Sequence, residues 1–305
     1  MAGMTFLRKV KQQDHTKSVK FLLHQHLNGP EKGRPMANVH ASELTKPEGF
    51  CPRAYALSDL TKAKPADRWL TTSENITFHL GRVMQDSVVD WMAEMGKAIG
   101  HWRCLSCSYL HEFQSRPYKC EKCQHKVFKP EEVRFVSAKT GASCGVDMLV
   151  ALGGAKLVPI ELKTMAADQF KTLIAPLAEH RLRTNLYLRI IAESAHPWAS
   201  LVSHERASIL YISKSGYGCA DDGLKGMGIK ESFSPFKEFE VLRDDAQTND
   251  QATRAQVVKD FRAGAVGTPR GICPSALSQR AKGCSLKGAC FSGNHPGVHE
   301  WKGCV

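Results

Sequence analysis

The sequence predicts a mixed α/β fold, and three observations carry that reading. Two apolar segments, "CGVDMLV" and "KLVPIELKT", meet at Gly153-Gly154 and read as paired strands. A third strand candidate, "ASILYIS" from Ala207 to Ser213, is separated from them by the helical stretch "APLAEHRLRTNLYLRIIAES". This order of strands and helices favours a mixed sheet flanked by helices. The chain has 305 residues, 42% of them hydrophobic, which suffices for one large domain or two smaller ones.

Taken in order, Thr5 to Leu27 can form a basic amphipathic helix, with Phe6, Val10, Val19, Leu22 and Leu23 as apolar contacts. The Gly- and Pro-containing "NGPEKGRPMAN", Asn28 to Asn38, reads as a loop. Ser42 is placed to cap a short helix running towards Cys51-Pro52, and "RAYALSDL" continues helically. A stronger helix is expected from about Ser73 to Lys97, with Ile76, Leu80, Val83, Met84, Val88 and Trp91 on one side. From His101 to Lys129 the chain becomes rich in Cys, Lys and aromatics. Gly216 to Gly228 reads as a loop, and a late helix over Asn249 to Arg262 precedes a Gly- and Cys-rich tail. No internal repeat is visible.

The 42 basic and 30 acidic residues give a formal charge of +12. That balance favours a polyanionic partner, nucleic acid before an anionic membrane, because neutralising phosphates releases counterions. Two four-thiolate metal sites, each carrying about −2, would bring the charge to about +8. No apolar run approaches bilayer-spanning length, and "MAGMTFLRKVKQQDH" lacks a signal-peptide apolar region. A soluble, cytoplasmic protein with no membrane partner is therefore expected.

Eleven cysteines are many for such a protein. Short C-x-x-C pairs in a reducing compartment serve metals or redox chemistry more often than disulfides. "CLSC" supplies Cys104 and Cys107, and "CEKC" supplies Cys120 and Cys123, with twelve residues between the pairs. Each knuckle can deliver two thiolates at tetrahedral angles, and four thiolates leave no open position, so a structural Zn²⁺ is expected. Tyr109, His111, Arg116, Tyr118, Lys119, Lys122, His125 and Lys126 around it form either a nucleic-acid surface or an ordinary solvated one.

Asp147, Glu161 and Lys163 interrupt the apolar strands. Residues two apart on a strand share a face, so Glu161 and Lys163 point one way. A three-residue loop, Gly153-Gly154-Ala155, would set Asp147 across from Glu161. Two close carboxylates suit Mg²⁺ or Mn²⁺, and a neighbouring Lys can orient water and offset developing charge.

These residues carry a resemblance. "GVDMLV…VPIELKT" resembles the G-x-D…E-x-K signature of the PD-(D/E)xK (restriction-endonuclease-like) nucleases. Within them it is similar to the RecB-like exonucleases, including the CRISPR-associated group and phage-encoded relatives. "SELTKPEGFCPRAYAL" resembles that family's N-terminal Ser-…-Cys-Pro-Arg segment. "LGRVMQDSVVDWM" resembles its Gly-x-x-x-His helix, with Gln85 in the His position. "EHRLRTNLYLRI" resembles its Gln-x-x-x-Tyr helix, with Arg183 in the Gln position and Tyr187 matching. "ASILYISK" resembles the next strand, ending in Lys214. The resemblance implies a nuclease core with Asp147, Glu161, the Leu162 carbonyl and Gln85 around one or two divalent metals. It makes Lys163 the residue that positions water, Tyr187 and Arg183 active-site residues, and Arg183 and Lys214 phosphate contacts. Tyr187 among Leu186, Leu188, Ile190 and Ile191 has a core residue as its alternative reading, and Lys214, at a strand end, reads equally as a solvated terminus.

The tail carries Cys273, Cys284, Cys290 and Cys304. Alone these four can make a small zinc knuckle. The resemblance implies instead that Cys51 joins Cys273, Cys284 and Cys290 around a [4Fe–4S] cluster, closing a very long loop. Spacing does not separate iron–sulfur from zinc, since both accept four thiolates. Cys144 reads as a packed strand residue, Cys219 as a loop thiol and His79 as no ligand.

The expected architecture is thus a basic N-terminal helix and loop (1–38), a helical part with Cys51 (39–99), an inserted zinc ribbon (100–129), the nuclease core (130–262) and a cysteine-rich tail (263–305). The expected activity is metal-dependent hydrolysis of DNA, from ends or on single strands, in recombination, repair or phage replication, with proteins of those processes as partners. The alternatives are a DNA-binding or recruitment module on the same fold, and a zinc-ribbon regulator with an incidental D…ExK.

Overall fold

The computed structural model describes residues 19–31, 37–47, 49–62, 68–216, 218–221, 227, 229 and 233–291. Phe6, Val10 and Cys304 lie outside them. Of the helix expected over Thr5 to Leu27, the part before Val19 lies outside the described residues; helix α1 (Val19–Leu27) has no buried residue. The expected loop after it holds a short strand, β1 (Gly29–Glu31). Strand β2 (Val39–His40) leads into α2 (Ala41–Leu44), capped by the His40 ring, which accepts from the Ser42 amide. Ser42 is therefore inside the first turn, its Oγ on His40 Nδ1 at 2.8 Å. Helix α3 (Pro52–Thr61) follows, with Cys51 at its N-cap and proline in its first turn. Strand β3 (Arg68–Leu70) pairs antiparallel with β1.

Helix α4 (Thr72–Glu94) starts at a reciprocal capping box: Thr71 Oγ1 accepts from the Glu74 amide at 3.2 Å, and Glu74 Oε2 accepts from the Thr71 amide at 2.9 Å. Its expected apolar face is only partly the packed one. Val88 is buried, but Ile76, Leu80, Val83 and Trp91 are about half exposed. The helix packs through Gly81, Val88, Val89 and Ala93 instead. A Cβ on Gly81 would sit 3.0 Å from Thr164 Oγ1, so glycine sets this close approach. Hydropathy periodicity is blind to such a contact, and that rotated the predicted stripe.

A seven-stranded sheet forms the centre. Strands β4 (Ala98–Cys104), β5 (Leu110–Ser115) and β6 (Phe128–Glu131) make one side. β7 (Val133–Val136) and β8 (Ala142–Val146) belong to a separate three-stranded sheet ordered β2-β8-β7. The chain re-enters the large sheet as β9 (Met148–Val150) and β10 (Val158–Met165). The hairpin loop is 151–157, longer than the three residues expected, because pairing stops at Val150↔Val158. The expected register nevertheless holds. Helices α5 (Ala167–Thr172) and α6 (Ala178–Ala192) lead to β11 (Arg206–Ser213), parallel to β10.

Residues in the expected Gly216–Gly228 loop include a short strand, β12 (Cys219–Ala220), paired with β13 (Phe233–Ser234); Cys219 thus sits on a strand. Strand β14 (Phe236–Leu242) closes the large sheet, ordered β14-β11-β10-β9-β4-β5 with β6 also on β4. Helix α7 (Asp245–Arg262) begins four residues earlier than expected, because Asp244 caps it. Short helices α8 (Gln279–Lys282) and α9 (Lys287–Phe291) end the described tail.

Helix α6 is buried from Thr184 to Ile191, in one core with Val133, Phe135, Cys144, Val146 and Leu149. A second core gathers Val88, Val89 and Trp102 with Met148, Val158, Ile160 and Leu162. The two cores lie around the strands that carry the three polar residues. No helix among the described residues is long and apolar enough to cross a membrane.

Gly81→Val is expected to lower the unfolding free energy by about 1–3 kcal/mol by prying α4 from β10. Thr71→Ala, at an exposed cap, should cost about 1 kcal/mol. Urea denaturation of the two variants against wild type measures both.

Candidate active site and cysteine centres

Asp147 is the single residue between β8 and β9, where the chain passes from the small sheet to the large one. The β9–β10 ladder pairs Ile160 with Met148, so the next step places Glu161 opposite Asp147. Asp147 Oδ2 accepts a hydrogen bond from the Leu162 amide at 2.8 Å. Glu161 is 3% exposed; Oε1 accepts from Lys163 Nζ, while Oε2 is buried with no hydrogen-bond partner. Lys163 Nζ also reaches the Leu162 carbonyl at 3.3 Å. Asp147, Glu161 and Lys163 are thus brought together.

Burial, together with the negative charge of Glu161, pushes the Asp147 carboxyl up to about 8, against Lys163 and the Leu162 amide, which pull it down. Tyr187 is 5% exposed in the core behind this face. Burial and the charges of Glu161 and Asp147 raise its phenol well above the ordinary value, so it stays protonated. Of the two sequence readings of Tyr187, the core residue is the one its burial shows.

Gln85 lies four residues beyond Gly81 on α4, and its Nε2 donates to the Leu162 carbonyl at 2.6 Å. Arg183 Nε donates to Thr45 Oγ1 at 3.4 Å, at the end of α2. Lys214 follows β11, its amide donating to the carbonyl of Met165, the last residue of β10, at 2.9 Å. His79 is exposed. Two groups near the site were not singled out from sequence. Glu132, between β6 and β7, adds to the negative charge felt by Asp147. His180, on α6, bonds Tyr211 Oη at 2.9 Å; burial and the charges of Lys163 and Arg183 lower it to about 3, so it is neutral. No spacing marks either residue, because each meets the site only through the sheet crossings.

The sulfur atoms of Cys104, Cys107, Cys120 and Cys123 lie within 4.8 Å of one another. Cys104 and Cys123 are 3.5 Å apart, and Cys107 and Cys120 3.6 Å. Tetrahedral thiolates at about 2.3 Å from one ion would be about 3.8 Å apart, so the set fits a single metal. The two knuckles fold alike: Ser108 and Gln124 donate to the Cys104 and Cys120 carbonyls, each with positive φ. Burial opposes ionising Cys104, yet the Cys107 and Ser106 amides and the neighbouring thiols pull it down to about 6. Buried His111 sets Nε2 3.4 Å from Cys120 Sγ, a contact missed in the sequence. Cys104 is also the last residue of β4, so this centre grows out of the main sheet.

Cys51, Cys273, Cys284 and Cys290 line one small cavity with Leu57 and Ile272. Unlike the knuckle cysteines, no three of them converge within 4.8 Å. The buried Arg53 guanidinium lies beside Cys290 and donates to the Pro269 carbonyl at 3.0 Å. Cys144 is 1% exposed on β8, and burial raises its thiol.

No family model and no curated protein matches this chain. Among solved structures, that of SSO0001 aligns at 13% identity over 86% of each chain, with a TM-score of 0.36. An alkaline exonuclease from Laribacter hongkongensis (LHK-Exo) aligns at 12% identity over 75% of this chain and 90% of its own, with a TM-score of 0.41. The same exonuclease in complex with dAMP gives 13% and 0.41 over the same shares. Similarity at this level carries no argument about activity.

The raised Asp147 carboxyl destabilises the metal-free protein as pH rises from near 4, where the unfolded carboxyl ionises, to about 8, where the folded one does. Asp147→Asn removes that loss. Its melting temperature without divalent metal should match wild type near pH 4 and exceed it by at least about 3 °C at pH 8. Thermal melts across that window measure the difference.

Proposed function

We propose that the protein is a Mg²⁺- or Mn²⁺-dependent deoxyribonuclease acting on single-stranded DNA or DNA ends. The observation that carries this reading is the pair of acids, half-buried Asp147 and buried Glu161, on one face with Lys163, one Glu161 oxygen having no partner. Two acids held this way repel each other, and a divalent cation relieves both. Their oxygen donors match the hard cations rather than zinc. A bound cation would polarise the phosphodiester and lower the pKa of its water.

The remaining roles belong to the chain. Lys163 orients the water and sets a positive charge where the phosphate oxygens gain negative charge. Gln85 presents its amide nitrogen to the Leu162 carbonyl, which leaves the amide oxygen as the atom able to face water at the cation. Tyr187 closes the floor as a neutral phenol. Lys214 and the unengaged edge of the Arg183 guanidinium contact DNA phosphates. In this reading 39–99 and 130–262 form the nuclease domain, with 100–129 and 263–305 as metal-bearing additions. A setting in recombination, repair or phage replication rests on the sequence resemblance alone.

One observation favours the second reading, a DNA-binding or recruitment module with weak catalysis. The Gln85 amide nitrogen occupies the Leu162 carbonyl, which the resemblance assigns to the cation.

The knuckle cysteines would hold Zn²⁺ and the cavity cysteines a [4Fe–4S] cluster. The spacing supports this division: a single ion draws its thiolates together, whereas a four-iron cube binds each to a different iron and keeps them apart.

Cleavage of labelled single-stranded DNA with Mn²⁺ should fall at least ~100-fold in Lys163→Ala; equal cleavage by variant and wild type ends the enzyme reading. Metal analysis should find zinc that Cys120→Ser loses. It should also find iron, with a brown absorption near roughly 400 nm that Cys284→Ser loses; zinc alone removes the cluster.

A further inference from the structure

We propose that the knuckle end of residues 104–127 is a platform for single-stranded DNA: the Tyr118 ring stacks on a base, and Lys119, Lys122 and Lys126 meet phosphates. This deepens the nuclease reading and rests on it, since the platform holds the strand that the acids cut.

The sheet sets the place. Strand β9 runs antiparallel to both β4 and β10, and β11 runs parallel to β10, so β4, β10 and β11 point the same way. Continuing the pairs Ala98↔Val150 and Ile99↔Leu149 puts His101 level with Asp147. Cys104 ends β4 three residues further on, about 10 Å past the acids. Strand β10 reaches Lys163 in the same direction, and β11 leads to Lys214. The order β11-β10-β9-β4 sets β11 and β4 on either side of the two central strands, about 14 Å apart. A DNA strand lying over the acids thus has Lys214 on one flank and the knuckles on the other.

The surface of the knuckles fits that strand. Sequence leaves this stretch open between a nucleic-acid surface and a solvated one. Tyr118 is 78% exposed, although an aromatic ring gains by burial. Lys126 Nζ pins it, 2.9 Å from Oη and 4.5 Å from the ring centre. That contact holds the ring without covering it, as stacking on a base requires. Leu105 and Val127, bonded amide to carbonyl at 3.1 Å, join the two knuckles with apolar surface that is also about half exposed. From 118 to 127 every residue except Cys120 is exposed, and three lysines stand there against one acid. That acid, Glu121, turns toward His111 Nδ1, 3.9 Å away. Among the described residues, Lys119 and Lys122 have no ion-pair partner. Offsetting the charge of four thiolates accounts for lysines, but not for an exposed ring.

Fluorescence anisotropy of a labelled oligothymidylate, with the whole chain and no added divalent cation, tests this. Tyr118→Ala should weaken binding roughly 5- to 100-fold at an unchanged melting temperature, while Tyr118→Phe should bind as wild type does. Lys122→Gln should flatten the slope of log affinity against log salt by about 0.7. Equal affinity of wild type and Tyr118→Ala, or no binding by wild type, overturns the platform. So does a weaker Tyr118→Ala whose melting temperature has fallen, which makes the ring a structural residue. The nuclease reading is then judged separately, by the loss of cleavage in Lys163→Ala.

Discussion

The hydrogen bond from the Leu162 amide to the Asp147 carboxylate, 2.8 Å long, is the interaction on which the rest of the structure depends. It sits where the chain changes sheets, and it ties the crossing to β10. Strand β10 then presents Glu161 and Lys163 to one side and the Leu162 carbonyl to α4. A carboxylate partly withdrawn from water costs free energy, and a buried acid opposite adds to that cost. The amide and the Lys163 ammonium offset part of that cost. The remainder holds the Asp147 carboxyl well above the ordinary carboxylate range.

Packing makes this arrangement rigid. Helix α6 is buried over most of its length and joined to α7 by reciprocal bonds between Asn185 and Asp244. Buried Arg189 bridges Glu193 and Asn249 across the same helix pair. On the other face, Gly81 lets α4 approach close enough for Gln85 to reach a strand carbonyl. Polar side chains are held by backbone groups of neighbouring elements, which keeps their positions independent of solvent-exposed rotamers.

Much of the candidate site was legible because strand period is strict. Glu161 and Lys163 had to share a face, and the register that sets Asp147 opposite survived a loop longer than expected. The four knuckle cysteines were legible from spacing alone. What escaped the sequence depended on contacts between elements distant in the chain. The packed face of α4 turns on a glycine, which carries no hydropathy signal. The strand in 29–31 exists only because 68–70 pairs with it. Glu132 and His180 gain meaning from sheet crossings and helix placement, not from any local pattern.

Strand β4 gives one feature a wider reach. It ends at Cys104, buries Trp102 in the core, and pairs Ala98 and Ile99 with Val150 and Leu149 of β9, the strand that starts next to Asp147. Order at the thiols and order at the acids are therefore joined through this strand pair in one cooperative opening unit. Amide hydrogen exchange along β9 would quicken when the knuckles open, and whatever loosens the four thiols would set how often the acidic seam comes apart.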